Sequence, residues 1–103
     1  MASEGDRFVG KRYDELPGYV GPNSDEGRFD VVRQELSVAR KWPLYNSAHE
    51  GYAVILEELD ELWDHVKTNQ KVRDLSAMRR EAAQIAACAI RFMEMIDNER
   101  GRK

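Results

Sequence analysis

The sequence contains a single cysteine, Cys88, and this scarcity excludes several classes of protein. One cysteine cannot form an intramolecular disulfide or a zinc site built from several thiolates. Cys88 lies in the apolar stretch AACAI, where we expect a small buried residue and not a reactive thiol. The chain must therefore depend on a packed core, and its cysteine content is compatible with a reducing cytoplasm.

Long apolar runs are also absent, since no stretch approaches the roughly 20 residues that span a bilayer. The first sixteen residues, MASEGDRFVGKRYDEL, lack the apolar segment of a secretory signal. Neither sign of charge dominates, because 16 basic and 19 acidic residues leave a net charge of -3. We therefore expect a cytoplasmic protein that binds neither a membrane nor a nucleic-acid polymer through a general charged surface.

Proline is scarce as well, with three residues in 103, and 42% of the chain is hydrophobic. This composition is typical of one folded helical domain with a single core. Most of the glycines and prolines lie in residues 1–27, which show no regular apolar spacing and are predicted to be an irregular arm. The arm's aromatic residues, which would hold it against the domain or a partner, are Phe8, Tyr13 and Tyr19.

Apolar residues at helical spacing predict a single all-α domain of three helices in residues 28–103. The first helix covers residues 28–41 and ends before Pro43. The second begins at a capping box of Ser47 and Glu50, and the third covers residues 75–98 after a cap at Asp74. The predicted core faces are Phe29, Val32, Leu36 and Ala39 on the first helix; Tyr52, Ile55, Leu59, Leu62 and Val66, with Trp63 nearby, on the second; and Met78, Ala82, Ile85, Ala89, Phe92 and Ile96 on the third.

The second and third helices are predicted to form a long antiparallel hairpin. The third is apolar over more than a third of its circumference, which is more than its neighbours within one chain can cover. Several small residues on it would let another helix approach closely: Ala82, Ala83, Ala86, Ala87 and Ala89. We therefore predict a homodimer in which two hairpins complete a four-helix-bundle core, and the alternative is that the N-terminal arm covers the apolar face.

Acidic residues are crowded in the middle of the second helix, in the segment EELDELWDHV. At 100° per residue, Glu58 and Glu61 share one line beside the apolar face. On the third helix Glu81 lies inside the apolar arc, where an unpaired carboxylate is costly. If the hairpin turns near residue 71, Glu61 lies level with Glu81, and Glu58 with Gln84. Three carboxylates and one amide at adjacent levels predict a site for a hard divalent cation, Mg²⁺ or Mn²⁺.

Two simpler interpretations remain open from the residues alone. An acidic run on a helix is usually a solvated face. Glu81 could also pair with an arginine, and the candidates are Arg79, Arg80 and Arg91.

The segments HEGYAVILEELDELWDHVK and REAAQIAACAIRF resemble the MazG-like nucleoside triphosphate pyrophosphohydrolases of the all-α superfamily. The motif of that family is EExxE followed, after a variable spacer, by ExxD. Here EExxE occupies residues 57–61, and the second half begins at Glu81 but has Gln84 at the aspartate position. The resemblance covers residues 46–97 and implies that Glu58, Glu61 and Glu81 bind Mg²⁺. Gln84 would add an amide oxygen, with one negative charge fewer than the family motif.

The same resemblance implies hydrolysis of an NTP or dNTP to the monophosphate and pyrophosphate, and assembly as a homodimer or homotetramer. Glu57, beside the ligands, would orient or deprotonate the attacking water. The residues expected to bind the triphosphate or nucleotide are Lys67, Lys71, Arg79, Arg80, Arg91 and His49. Because Gln84 departs from the motif, a second hypothesis is a catalytically degenerate MazG-like helical interaction protein.

Overall fold

The computed structural model describes residues 21–101, and within this range the chain is helical without any β-strand. The helices are α1 (Asp25–Ala39), α2 (Ala48–Val66) and α3 (Leu75–Gly101), and a 3-10 helix (Gln70–Val72) precedes α3. The predicted all-α class is confirmed. Most of the predicted arm, with its three aromatic residues, lies outside the described residues. None of the described helices is long and apolar enough to cross a membrane.

The chain divides into two compact units, Met1–Asp30 and Val31–Lys103. In the first unit, Ser24 caps the start of α1, because its buried hydroxyl oxygen accepts a hydrogen bond from the Gly27 N–H at 3.1 Å. A Cβ atom at Gly27 would lie 2.5 Å from the carbonyl oxygen of Gly21, so this position requires glycine. The first helix therefore begins three residues earlier than predicted.

In the second unit, α2 and α3 pack against each other as an antiparallel hairpin. Gly51, near the start of α2, lies against Phe92, late in α3. Glu58 and Glu61, farther along α2, lie near Glu81, early in α3. These pairs agree with a turn near residue 71, and the predicted hairpin is present.

The predicted caps lie at the N-terminal ends of the two hairpin helices, α2 and α3. Ser47 accepts from the Glu50 N–H at 3.1 Å, as in a capping box, whereas the Glu50 carboxylate accepts from the Asn46 N–H, one residue before the cap. Asp74 accepts from the Ala77 N–H at 3.0 Å at the start of α3. Arg73 donates to the carbonyl oxygen of Val66 and so binds the last turn of α2. Local sequence signals therefore place these helix ends.

The buried line of α3 differs from the prediction. It consists of Ala83, Ala87, Arg91 and Met95, spaced four residues apart, while the predicted core residues Ala82, Ala89 and Ile96 are exposed. The turn after α1 is held to α3 by an Arg40–Glu94 ion pair, and residues of α1 and α3 line a common cavity. Because α3 therefore has α1 as well as α2 beside it, its own apolar spacing does not show which arc is buried.

The predicted core faces of α1 and α2 are also only partly buried. Leu36 is buried, but Phe29 is 56% exposed, and α1 ends at Ala39 because the chain turns at residues 40–42. On α2 Gly51 is buried, and the predicted core residues Ile55, Leu62 and Val66 are half-buried, as is Glu58. The predicted residues Tyr52 and Leu59, together with Trp63, are exposed, and they form one stripe with Leu56.

Candidate metal centre

Three carboxylates from two helices meet at the middle of the hairpin. Glu58 and Glu61 lie about one turn apart on α2, and Glu81 reaches them from α3. One carboxylate oxygen of each residue lies within 4.8 Å of the other two. The structure thus brings together the three glutamates that the hairpin register placed at adjacent levels.

Two oxygens of this cluster are buried without a hydrogen-bond donor. They are Oε1 of Glu58 and Oε1 of Glu81. Leaving a buried carboxylate oxygen unpaired costs free energy, because the lost hydration is not replaced. A cation between the carboxylates would satisfy both atoms at once.

The pKa values of the two α2 glutamates are raised for different reasons. For Glu58 the main cause is burial, and the negative charge of Glu61 adds to it. For Glu61, which is solvent-accessible, the main causes are the hydrogen-bonding contact with Glu81 and its charge. Without a cation, protonation of Glu58 or Glu61 relieves part of the repulsion between neighbouring carboxylates.

The donor set fits a hard divalent cation. Mg²⁺ binds oxygen at about 2.1 Å, so the ligand oxygens of an octahedral ion lie between about 3 and about 4.2 Å apart. The three carboxylate oxygens lie within 4.8 Å of one another, so rotations of the glutamate side chains would bring them onto one ion. Neither a thiolate nor an imidazole belongs to the cluster, which favours Mg²⁺ or Mn²⁺ over a softer metal.

Gln84 lies beside the cluster on α3 and is half-buried. Together with Glu58 it lines a cavity of about 170 Å³. The same cavity is lined by Glu35 of α1, which the sequence interpretation did not assign to the site. The signal was present, because the four neighbours of Glu35 one helical turn away are all apolar: Val31, Val32, Val38 and Ala39.

Glu57, the predicted catalytic residue, is exposed next to the cluster on α2. Its charge contributes to the raised pKa values of Glu58 and Glu61, which places it within electrostatic range of the candidate ligands. An exposed carboxylate at this position is accessible to a water molecule and to a substrate.

Five of the six predicted substrate-binding residues are exposed at the surface. Lys67 is paired with Asp64 at 3.1 Å near the end of α2. The structure brings none of the predicted basic residues onto the cavity beside Glu58. The other exposed members of the set are Lys71, Arg79, Arg80 and His49.

Arg91 lies in a different environment from the one predicted. The residue is 8% exposed, and its guanidinium donates to the carbonyl oxygen of Trp42 at 2.7 Å and to Glu94 at 2.8 Å. Arg40 also pairs with Glu94, and these contacts lower the pKa of the Glu94 carboxyl. Arg91 therefore binds the turn after α1 to α3 instead of lining the carboxylate cluster.

A larger cavity, of about 550 Å³, lies between the start of α2 and the end of α3. Its lining includes Leu44, Tyr45 and Met95, and none of the predicted site residues. Because no unpaired buried charge marks this cavity, the carboxylate cluster is the stronger candidate for a functional site.

Comparisons with protein-family models, with curated proteins and with solved structures give no significant match for this chain. Membership of the MazG-like family therefore stays a prediction, supported by the EExxE segment, by Glu81 and by the geometry of the three carboxylates.

Proposed function

We propose that the protein is a Mg²⁺-dependent nucleoside triphosphate pyrophosphohydrolase. The observation that carries the proposal is the convergence of Glu58, Glu61 and Glu81, with two buried oxygens that lack a donor. An ordinary solvated acidic face does not explain those oxygens, since solvated carboxylates are hydrogen-bonded to water.

Glu58, Glu61 and Glu81 would hold the cation, and the amide oxygen of Gln84 would face it from the adjoining cavity. When bound, Mg²⁺ supplies charge neutralisation for the triphosphate and polarisation of the phosphorus under attack. The protein residues provide position, because all four side chains project from two packed helices.

In the proposed reaction, water attacks phosphorus, and the anhydride bond between the α- and β-phosphates breaks. The products are the nucleoside monophosphate and pyrophosphate. Glu57 would orient this water and accept its proton, since it is exposed beside the ligands. Lys67 and Lys71, near the turn of the hairpin, would contact the phosphates of an NTP or dNTP.

A screen for pyrophosphate release tests the proposal. The full chain is incubated with each common ribo- and deoxyribonucleoside triphosphate, in Mg²⁺ and in Mn²⁺. We expect the wild type to turn over at least one substrate. Glu58→Gln, Glu61→Gln and Glu81→Gln should each lower the rate of pyrophosphate release by about 100-fold or more, because each removes a ligand of the cation. Asp60→Asn, which removes an exposed charge from the same helix, is the matched control and should keep its activity.

We also propose that the protein is a homodimer, or a dimer of dimers. Exposed apolar residues form a stripe on α2 with the spacing i, i+4, i+7 and i+11: Tyr52 (64% exposed), Leu56 (41%), Leu59 (48%) and Trp63 (57%). A second stripe on α3 comprises Leu75, Ala82, Ala89, Met93 and Ile96. A second hairpin would cover both stripes, since large apolar patches are uncommon on monomers.

One observation favours the alternative, a degenerate MazG-like interaction protein. Gln84 replaces an acidic ligand, whereas the exposed stripes of α2 and α3 offer a binding surface that needs no metal. A folded protein that hydrolyses none of the triphosphates in either metal would favour this second function.

A further inference from the structure

Glu35 on α1 shares a cavity with two members of the candidate metal centre. Glu35 is half-buried and lines the space of about 170 Å³ together with Glu58 and Gln84. No basic residue belongs to this lining, so the cavity itself offers no counter-ion to the two carboxylates. The remaining lining residues are Val38, Ala39, Ala87 and Cys88.

The negative charge of Glu35 acts on Glu58. It is the smallest of the causes that raise the pKa of Glu58, after burial and the charges of Glu61 and Glu57. Oε1 of Glu58 is buried and has no donor. An additional carboxylate against such an atom, with apolar walls around it, is unfavourable unless a positive charge enters the cavity.

Gln84 explains why a further carboxylate would be useful here. Beside its three carboxylates the candidate centre has the amide of Gln84, which carries no negative charge. Glu35 faces the same cavity from a third helix. We propose that Glu35 supplies the negative charge that Gln84 does not, so that three helices hold the cation.

This inference rests on the proposed cation site and extends it to α1. The cavity has room for several water molecules. Mg²⁺ in proteins usually keeps part of its water shell and binds few carboxylates directly. Glu35 therefore acts as a positioning residue on the hydrated ion.

Calorimetric titration of the full chain with Mg²⁺, repeated with Mn²⁺, tests the role of Glu35. We expect Glu35→Gln to weaken binding by about tenfold, as removal of an outer partner of a metal site does. Asp60→Asn removes the same charge from an exposed position and should change the affinity less than about twofold. Glu35→Asp keeps the charge and should bind nearly as well as the wild type, which separates loss of charge from loss of packing.

A rescue variant makes the test specific to the shared cavity. In the Glu35→Gln background, Gln84→Asp returns a carboxylate to the cavity and should restore the Mg²⁺ affinity. Unchanged affinity in Glu35→Gln, with loss of binding in Glu58→Gln, would overturn the role of Glu35 and leave the cation site standing. Absence of Mg²⁺ and Mn²⁺ binding by the folded wild type would overturn both proposals.

Discussion

Glu58 is the residue in which the features of the candidate centre coincide. It belongs to the three-carboxylate cluster, lines the cavity shared with Glu35 and Gln84, and has a buried oxygen without a donor. A buried carboxylate oxygen without a donor lowers the stability of the metal-free fold. The electrostatics of Glu58 therefore make the proposed cation site testable.

The raised pKa of Glu58 predicts how stability depends on pH without metal. A raised folded-state pKa means that folding favours the protonated form. This contribution to the free energy of unfolding is complete below the unfolded-state pKa of about 4.3 and is lost as pH rises through the folded-state value. In EDTA, Glu58→Gln should therefore melt at a higher temperature than the wild type at pH 7, and the difference should vanish near pH 4.

Thermal melts of wild type, Glu58→Gln and Asp60→Asn at both pH values provide the measurement. Mg²⁺ should raise the melting temperature of the wild type and of Asp60→Asn, but not of Glu58→Gln. Glu94 has a lowered pKa, so its contribution to the free energy of unfolding is lost as pH falls. Because Glu94 is present in the wild type and in the variants, this contribution cancels in the difference between their melting temperatures. A Glu58→Gln difference that is equal at pH 4 and pH 7 would contradict the electrostatic explanation.

At the scale of the elements, the hairpin depends on a close approach between the start of α2 and α3. Gly51 is buried there, and its missing side chain leaves space for the rings of Phe92 and Tyr45. Tyr45 also donates a hydrogen bond to the Cys88 carbonyl oxygen at 3.4 Å. The loop before α2 is thereby held against α3, which sets the level at which the glutamates farther along α2 meet Glu81.

Gly51→Ala should weaken this contact. The added Cβ would lie 2.7 Å from a ring carbon of Phe92 and 2.8 Å from one of Tyr45, so a ring must move. Overpacking of this kind costs about 1–3 kcal/mol, against a gain of about 1 kcal/mol in helix propensity. We expect a net loss in the free energy of unfolding of about 1 kcal/mol, measured by urea denaturation.

Gly101 provides the matched control, because nothing lies within 4 Å of a Cβ at that position of α3. Gly101→Ala should leave the urea midpoint unchanged or raise it slightly. If both alanine variants behaved alike, the close packing at Gly51 would not contribute to the stability of the hairpin.

At the scale of the whole molecule, the proposed dimer relies on the exposed stripes of α2 and α3. The sequence assigned Tyr52, Leu59 and Ile96 to the core, and all three are exposed in the single chain. A second copy would return them to an apolar environment, which reconciles the apolar pattern with the observed exposure. Glu57 and Glu61 lie on another side of α2 from this stripe, so the carboxylates of two chains would not be forced together.

Two tryptophans allow a direct test of the interface. Trp63 lies in the α2 stripe and is 57% exposed, whereas Trp42 follows α1 and is 71% exposed. Light scattering of the wild type should give twice or four times the chain mass of 11.9 kDa at micromolar concentrations. Trp63→Ser should shift the protein toward the monomer, because buried aromatic residues dominate interfaces, and Trp42→Ser should not. A wild type that remained monomeric would exclude the dimer.

The sequence by itself determined the features that depend on local physics. Helical spacing and the caps at Ser47 and Asp74 involve only neighbouring residues. The level of Glu61 with Glu81 follows from a simple count from the turn. These signals were sufficient for the all-α class, the hairpin and the meeting of the three glutamates.

Only the tertiary structure decided which of several apolar arcs is buried and which polar groups serve the fold. The buried line of α3 follows Ala83 and Ala87 because α1 also contacts this helix, a long-range choice that periodicity does not encode. The same docking takes Arg91 to the Trp42 carbonyl oxygen and brings Glu35 to the cavity beside Glu58. Trp42 lies in the turn after α1, and Glu58 lies on α2, so neither neighbour can be identified from the spacing of residues along a single helix.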